Sequence, residues 1–494
     1  MGESLAQRSL PPVASSIMPN HPPASKVETV WNRIPVHERC RRVASVASLL
    51  AERGELLSSL CRRDWREDDL TTVSGELLPL CSALKWIGTR GPSVLGVRHL
   101  GVWGRPAWLW GVCNEVHRRP RGTVLIIGAW NYPLLLVGAQ IGQALAAGNF
   151  VKFKPAEGCE EIAEALVEAF YDAGVPRDCL ELLGAEPREA MMAIDQGVDL
   201  IVLTGSAATG RAVLRQAAEK LTPVILELSG CDAVVACPSA DFQRVAACIA
   251  FGLTFNSGAT CIGPRRLIAD QSGVESILES LIPQLAKIRP LAIHPAARKS
   301  VGELIQKAFD EGAKDLTGRF SGDDFEQTGR MPPLVLGGVS AQSQIANADV
   351  FAPVISVIQV DKIRDAVSIV NECRYRLAAS VFGNSLEASS IADQLLVGSV
   401  TINDLIVPTA DPRVPFGGRG ESGFGVTRGE EGLLEMTVPT LKSIRKSKVV
   451  AHLIFNREED AKTLLATNKM LHASSFASKI KGLFAVMQSV KRTR

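Results

Sequence analysis

Three residues of different chemistry stand in short segments punctuated by glycine: Cys261 in the run Phe255 to Pro264, Glu227 in Leu226 to Gly230, and Asn131 in Gly128 to Pro133. A thiol adds to a carbonyl carbon, a carboxylate in apolar surroundings takes a proton from water, and an amide N–H holds a developing oxyanion. Together they are the parts needed to carry an aldehyde through a cysteine thioester to an acid. A thiol with the usual pKa of about 8.5 needs its thiolate favoured by a helix start, a cation or a base, and the sequence leaves open which of these operates.

Each residue also has a plainer reading. Cysteine is most often a small buried hydrophobe, the reading given to ten of the 11 in this chain. Asn131 could cap a helix that begins near Pro133. Glu227 could be a surface charge closing the apolar run Val224 to Leu226.

The elements that must position these groups follow from hydrophobic pattern. Gly122 to Val151 contains no charged residue, which resembles a membrane span. Asn131, Pro133, Gln140 and Gln143 interrupt it, so the stretch reads as a strand over Thr123 to Ile127, a tight turn, and a buried helix over Leu134 to Ala147. The same unit repeats: strands at Phe150 to Lys154, Leu180 to Leu183, Leu200 to Thr204 and Val224 to Leu228, helices at Cys159 to Ala173 and Ser206 to Lys220. Short strands alternating with helices imply a parallel sheet, whose binding crevice lies at the carboxyl ends of its strands, where Asn131, Lys154, Gly205 and Glu227 would emerge. A second αβ series runs from about Asp232 to Asn403, with strands at Ala233 to Ala236, Arg265 to Ala269, Val354 to Gln359 and Ser380 to Phe382, and helices at Phe242 to Gly252 and Ile277 to Lys287. Cys261 and Glu227 thus belong to different layers and would meet in a cleft.

Composition bounds the rest. At 494 residues with 46% hydrophobic content the chain is long enough for more than one core. A formal net charge of +2 gives no overall field to hold nucleic acid or an anionic membrane. The odd cysteine count, without paired Cys-x-x-Cys or Cys/His ligand spacing, suits a reducing compartment, so the expectation is cytoplasm, with no structural zinc. Residues 1–27, rich in Pro and Ser, read as a loose tail without a secretory signal. Ala6 stands where N-myristoylation needs Ser or Thr.

With these motifs in order, the chain resembles the aldehyde dehydrogenase superfamily over roughly residues 28–446. The resemblance is nearest to the class 3 and fatty-aldehyde branch, through Thr123 to Pro133, Pro415 to Gly418 and the interval from Glu227 to Cys261. It implies a Rossmann-like parallel-sheet cofactor domain (28–101 and 121–229), a second α/β catalytic domain (230–435) and a small β oligomerisation arm (102–120 and 436–446). By the same resemblance Cys261 is the nucleophile, Asn131 shares the oxyanion with the Cys261 backbone N–H, and Glu227 activates the hydrolytic water. Acyl-CoA-forming members usually lack that glutamate. Lys154 and Glu157 resemble the clamp on the adenosine ribose. Gly205 and Ser206 resemble the turn that sets a helix start against the pyrophosphate. The acidic residue favours NAD, with NADP open. Asp349 and Phe351 fall where the family has Glu-x-Phe-Gly-Pro, the acid one methylene shorter and Ala352 in place of glycine. Ser229, Cys231 and Ala259 depart from the usual Gly, Lys and Gln. The chemistry implied needs no metal.

The arm carries Trp103, Trp108 and Trp110, which fit either interface anchors of a homodimer or ordinary core. Trp130, Leu134, Leu135 and Phe255 suggest an apolar tunnel, hence a medium or long aliphatic or an aromatic aldehyde. Beyond Lys446, residues 447–494 form a basic extension in which Phe476, Ile480, Leu483, Phe484, Met487 and Val490 make one helical stripe beside Lys479, Lys481, Lys491, Arg492 and Arg494. Such a helix can touch a membrane surface peripherally, or pack on its own protein or on a partner. It is too short and too charged to span.

Three rivals are separable by assay. A cofactor-independent thiol hydrolase would want a histidine, and the seven present (His21, His37, His99, His117, His294, His452, His472) fall outside the motifs. A catalytically impaired scaffold would turn over nothing. An acyl-CoA-forming enzyme would need CoA.

Overall fold

A computed structural model describes residues 30–448, 450–454 and 457–492; the tail expected over residues 1–27, and Arg494, lie outside the described residues. The chain divides into two compact units, one of Met1–Leu95 with Arg119–Val438, the other of Gly96–Arg118 with Pro439–Arg494.

The first unit holds two parallel sheets. Strands β1 (Thr123–Ile127), β2 (Phe150–Lys154), β3 (Leu180–Leu182), β4 (Leu200–Gly205) and β5 (Val224–Leu228) form the first, in the order β5-β4-β1-β2-β3, all parallel, with Gly423–Phe424 added antiparallel beside β5. Three residues then lead into the second sheet. It contains β6 (Asp232–Ala236), β7 (Pro264–Ala269), β8 (Leu334–Gly337), β9 (Val354–Gln359), β10 (Ala378–Phe382) and β11 (Ser399–Ile402), in the order β8-β9-β7-β6-β10-β11, with Lys314–Asp315 antiparallel at the β8 edge. The chain thus adopts the expected Rossmann-like α/β build, and the β5-to-β6 passage sets Glu227 where the two sheets adjoin.

Burial explains the uncharged stretch that mimics a membrane span. Helix α1 (Leu135–Ala147) is buried at every one of its 13 positions, the signature of a helix enclosed on all sides. Its Gly142 allows close approach of Val36–Glu52 and Leu78–Val94: a Cβ there would lie 2.7 Å from Leu84 Cδ2 and 3.3 Å from Val43 Cγ1. Gly148, at φ 95°, ends the helix in the left-handed conformation. Among the described residues no helix is long and apolar enough to cross a membrane.

Two features differ from the sequence reading. The helix expected from Ile277 starts six residues earlier, at Gln271, because Asp270 caps it by accepting the Gly273 N–H at 2.8 Å. Strands β8 and β11, four residues each, extend the second sheet on both sides and are not among the strands expected from the sequence.

In the second unit, Arg98–Leu100 pairs antiparallel with Val112–Pro120, which also neighbours Thr437–Arg445. Trp103, Trp108 and Trp110 are 96%, 53% and 73% exposed, so they are not ordinary core. Two helices, Ala461–His472 and Phe476–Arg492, pack against one another. On the second, Phe476, Ile480, Leu483, Phe484 and Met487 are exposed; the side chains of Val490, Lys491 and Arg492 lie outside the described residues.

Candidate active site

A cavity of about 880 Å³ in the first unit is lined by all nine residues singled out from the sequence: Asn131, Lys154, Glu157, Gly205, Ser206, Glu227, Cys261, Asp349 and Phe351. They come from the carboxyl ends of β1, β2, β4 and β5, from the segment before β7, and from the segment before β9.

Asn131 does not cap α1, whose N-cap position is Leu134 with no side-chain hydrogen bond. Its side-chain amide instead donates to the Ala259 carbonyl at 3.0 Å. A buried set of polar groups fixes this turn. Arg66 donates to the Asn131 backbone carbonyl, to Asn256 Oδ1 at 3.1 Å and to the Glu76 carboxylate. The second Glu76 oxygen accepts from the Leu134 and Leu135 N–H groups at 2.6 and 3.1 Å. Asn256 Nδ2 donates to the Asn131 carbonyl at 2.9 Å. Tyr132 and Thr260 share a hydroxyl hydrogen bond of 2.6 Å.

Cys261 follows a distorted loop. Asn256 and Ser257 have φ of 51° and 53°, and Gly258 has φ 73°. A Cβ at Gly258 would fall 2.6 Å from the Ala352 carbonyl carbon and the Pro353 nitrogen, so this turn admits glycine alone. Arg265, fully buried, donates to the carbonyls of Gly258, Thr260 and Ala352 at 2.6, 3.0 and 3.1 Å, tying the nucleophile loop to the segment that carries Asp349 and Phe351. Burial foremost, then the Asp232 and Glu227 carboxyls, push the Cys261 thiol up to about 12, opposed by the Arg428 guanidinium and the Ile262 N–H. The resting sulfur is therefore protonated.

Glu227 is 4% exposed and accepts from Thr427 Oγ1, Gln140 Nε2 at 3.2 Å and Thr204 Oγ1 at 3.3 Å. Burial raises its pKa to about 7, against the Arg428 charge and the Thr204 and Gln140 hydrogen bonds, which favour the carboxylate. A group poised there can both take and return a proton near neutrality.

The remaining cavity suits a dinucleotide. Ser206 caps the helix Ala207–Ala218 by accepting the Thr209 N–H at 3.1 Å, so a 12-residue helix opens onto the cavity by its N-terminus, where phosphate is favoured. Burial lowers the Lys154 pKa, opposed first by the Glu157 charge. Apolar walls from Pro187, Ala190, Ile194 and Val213 give a slot for a flat base. Asp349 accepts from Tyr375 Oη at 3.4 Å, and the Phe351 ring lies 6.0 Å from that of Trp130. Trp130 stacks on His294 at 3.9 Å, so one histidine does approach the site, its pKa lowered to about 4 by burial and then by the Arg298 charge.

The apolar-tunnel expectation needs revision. Leu134 is fully buried and Trp130 faces the larger cavity. Leu135 and Phe255, with Ile406 and Phe416, line a separate space of about 100 Å³ that also reaches Cys261 and Arg428. Sequence reasoning missed Arg66, Glu76, Asn256, Arg265 and Arg428. The only prior signal was the place of Asn256 and Arg265 within or beside the Cys261 run, and of Arg428 in the glycine-rich stretch after Pro415.

The profile of the aldehyde dehydrogenase family matches residues 20–441. The chain is 31% identical over 430 residues to the succinate-semialdehyde dehydrogenase [NADP(+)] of Deinococcus radiodurans, covering 82% of this chain and 86% of that one. It is 27% identical over 412 residues to aldehyde dehydrogenase family 3 member A2 of Mus musculus, covering 80% and 82%. A crystal structure of the Mycobacterium tuberculosis aldehyde dehydrogenase complexed with NAD+ superimposes with a TM-score of 0.76 at 29% identity, covering 85% of this chain and 88% of that one. The chain belongs to the aldehyde dehydrogenase family and is an NAD(P)-dependent oxidoreductase of aldehydes.

Proposed function

We propose that the chain oxidises aldehydes to free carboxylic acids, with Cys261 as nucleophile, Asn131 as oxyanion donor and Glu227 as the base of hydrolysis. The observation that carries this reading is the convergence of the three side chains on one cavity, beside a helix start and a Lys154–Glu157 pair suited to a dinucleotide. The Cys261 thiol passes its proton to Glu227, which releases it to solvent, and the sulfur adds to the aldehyde carbon while one Asn131 amide N–H, with the Cys261 backbone N–H, steadies the oxygen of the thiohemiacetal. Lys154, Glu157, Gly205, Ser206, Asp349 and Phe351 would hold NAD(P), which would accept the hydride that leaves the thiohemiacetal carbon as the thioester forms. Glu227 then takes a proton from water, which attacks the thioester and frees the acid and the thiol.

The presence of Glu227 supports hydrolysis over transfer to CoA, and Glu157 supports NAD ahead of NADP. The exposed tryptophans support a homodimer through the 102–120 and 436–446 arm. A cytoplasmic setting fits the free cysteines. The exposed apolar row of Phe476–Arg492, flanked by Lys479 and Lys481, supports peripheral membrane contact; loss of pelleting with phosphatidylserine liposomes on deletion of residues 447–494 is the expected result. The catalytic reading is tested by absorbance of the reduced cofactor, with aldehydes of graded length, with and without CoA. Turnover without CoA that disappears in Cys261→Ser is expected. Turnover that survives this substitution overturns the assignment.

A further inference from the structure

The space of about 100 Å³ that adjoins the larger cavity at Leu136, Cys261 and Phe416 has apolar walls, among them Leu135, Phe255, Ile406 and Phe416, and one charged member, Arg428. Arg428 is 8% exposed, its guanidinium carbon sits 4.3 Å from the centre of the Phe416 ring, and Nη1 donates to the Thr409 carbonyl at 2.8 Å. Its Nε is buried with no hydrogen-bond partner among the described residues. A guanidinium carries five N–H donors, and burying it without a counter-ion is unfavourable.

Glu227 is the carboxylate whose charge Arg428 feels. Among the described residues the two form no ion pair, and the Glu227 oxygens are engaged by Thr427, Gln140 and Thr204. The channel thus sets a buried guanidinium in the same space as the sulfur that attacks the aldehyde, where a planar anion can pair with it.

We propose that Arg428 is an anion-recognition residue that makes the channel selective for aldehydes bearing a carboxylate a few carbons from the aldehyde carbon. The proposal rests on aldehyde oxidation at Cys261 and names its substrate class. The planar fork of an arginine matches both oxygens of a carboxylate, whereas a neutral aldehyde of equal length leaves the buried charge unpaired. A site built to pair a polar group discriminates against the analogue that lacks it. The apolar walls accommodate the methylene stem between the two ends, and the product is a dicarboxylate.

The test compares kcat/KM for ω-oxo acids of three to six carbons with the unbranched aldehydes of the same length, in the full chain and in Arg428→Leu and Arg428→Lys. The oxo acid is preferred at least about tenfold at its best length, the leucine variant loses at least about tenfold of that ratio, and lysine restores part of it. A preference for the neutral aldehyde at every length, or an unchanged ratio in Arg428→Leu, overturns the proposal. So does an equal loss for both substrates accompanied by a shifted pH profile, which assigns Arg428 to thiolate stabilisation. A second measurement needs no turnover. Glutarate binding to Cys261→Ser, followed by calorimetry, weakens at least about tenfold when Arg428→Leu is added. Absence of glutarate binding while neutral aldehydes are oxidised by the unsubstituted chain sinks the anion site alone. Glutarate binding dependent on Arg428 in a protein that oxidises no aldehyde sinks the catalytic reading and keeps the site.

Discussion

The Asn131 side-chain amide donates to the carbonyl of Ala259, two residues before Cys261, across 3.0 Å. An amide nitrogen has two N–H groups, so one anchors the side chain to the nucleophile loop and the other stays available toward the cavity. The donor, on the turn after β1, is thus tied directly to the loop that carries the sulfur, and the Asn256 amide ties the same turn back to that loop.

Replacing Asn131 with Ala is therefore expected to lower kcat about 100- to 1,000-fold, the usual effect of losing one oxyanion donor. The Arg66→Met change acts from behind it. It frees the Asn131 turn and leaves the fully buried Glu76 carboxylate without its cation, with only the Leu134 and Leu135 N–H groups as partners, at a cost of about 3–5 kcal/mol. Chemical unfolding and steady-state kinetics on both variants separate the effects: Asn131→Ala alters rate with a loss of stability of only about 1 kcal/mol from its one buried hydrogen bond, Arg66→Met alters rate and stability together.

Burial at Glu227 sets a pH dependence. Its folded pKa is about 7 against 4.5 for the free side chain, so the catalytically competent carboxylate accumulates, and deacylation accelerates, as pH rises through about 7. The sign for folding is opposite. Between 4.5 and about 7 the folded protein holds a proton that the unfolded chain has released, so this group's contribution to stability falls as pH rises across that window and is level above it. Glu227→Gln is expected to release about one equivalent of reduced cofactor in a burst and then turn over at least about 100-fold more slowly, in stopped-flow absorbance. A linear trace at the unsubstituted rate contradicts the role.

Cys261, pushed up to about 12, stays a thiol at neutral pH in the cofactor-free protein. Iodoacetamide labelling at that position, followed by peptide mass spectrometry, is expected to be slow at pH 7 and to rise steadily to the alkaline limit of stability. Rapid labelling with a plateau below pH 8 would show a thiolate already present at rest.

At Gly258 the space for a side chain is already filled by the Ala352–Pro353 backbone. Gly258→Ala forces a positive φ on a residue with a Cβ and displaces the loop, which costs about 1–3 kcal/mol. The expected result is a lower melting temperature with kcat reduced more than KM is changed. An unaltered melt would mean the loop relaxes freely.

Much of this was legible in the chain because the informative signals were contiguous. Val224 to Leu228 announces its strand by the short apolar run Val224 to Leu226, and Glu227 and Cys261 are found by the segments around them. The supporting groups have no such local signature. Arg66 meets Asn256 across 190 residues of sequence, and nothing in the neighbours of Arg66 distinguishes it from the exposed Arg62 or the half-buried Arg63. Arg428 lies one residue beyond Thr427, and its importance comes from which groups surround it after folding. Leu134 failed as a tunnel residue for a related reason: apolar character marks burial, and only packing decides whether the buried face meets a cavity or another side chain.

Arg265 has a bearing on how such enzymes can be recombined. One guanidinium spaces three carbonyls contributed by two loops, Gly258 and Thr260 on one side and Ala352 on the other. A chimera with a crossover between residue 266 and residue 349 pairs loops from different parents around a single rigid fork, and mismatched spacing there moves the sulfur relative to Phe351. The two segments therefore have to be inherited together, although more than eighty residues of chain separate them.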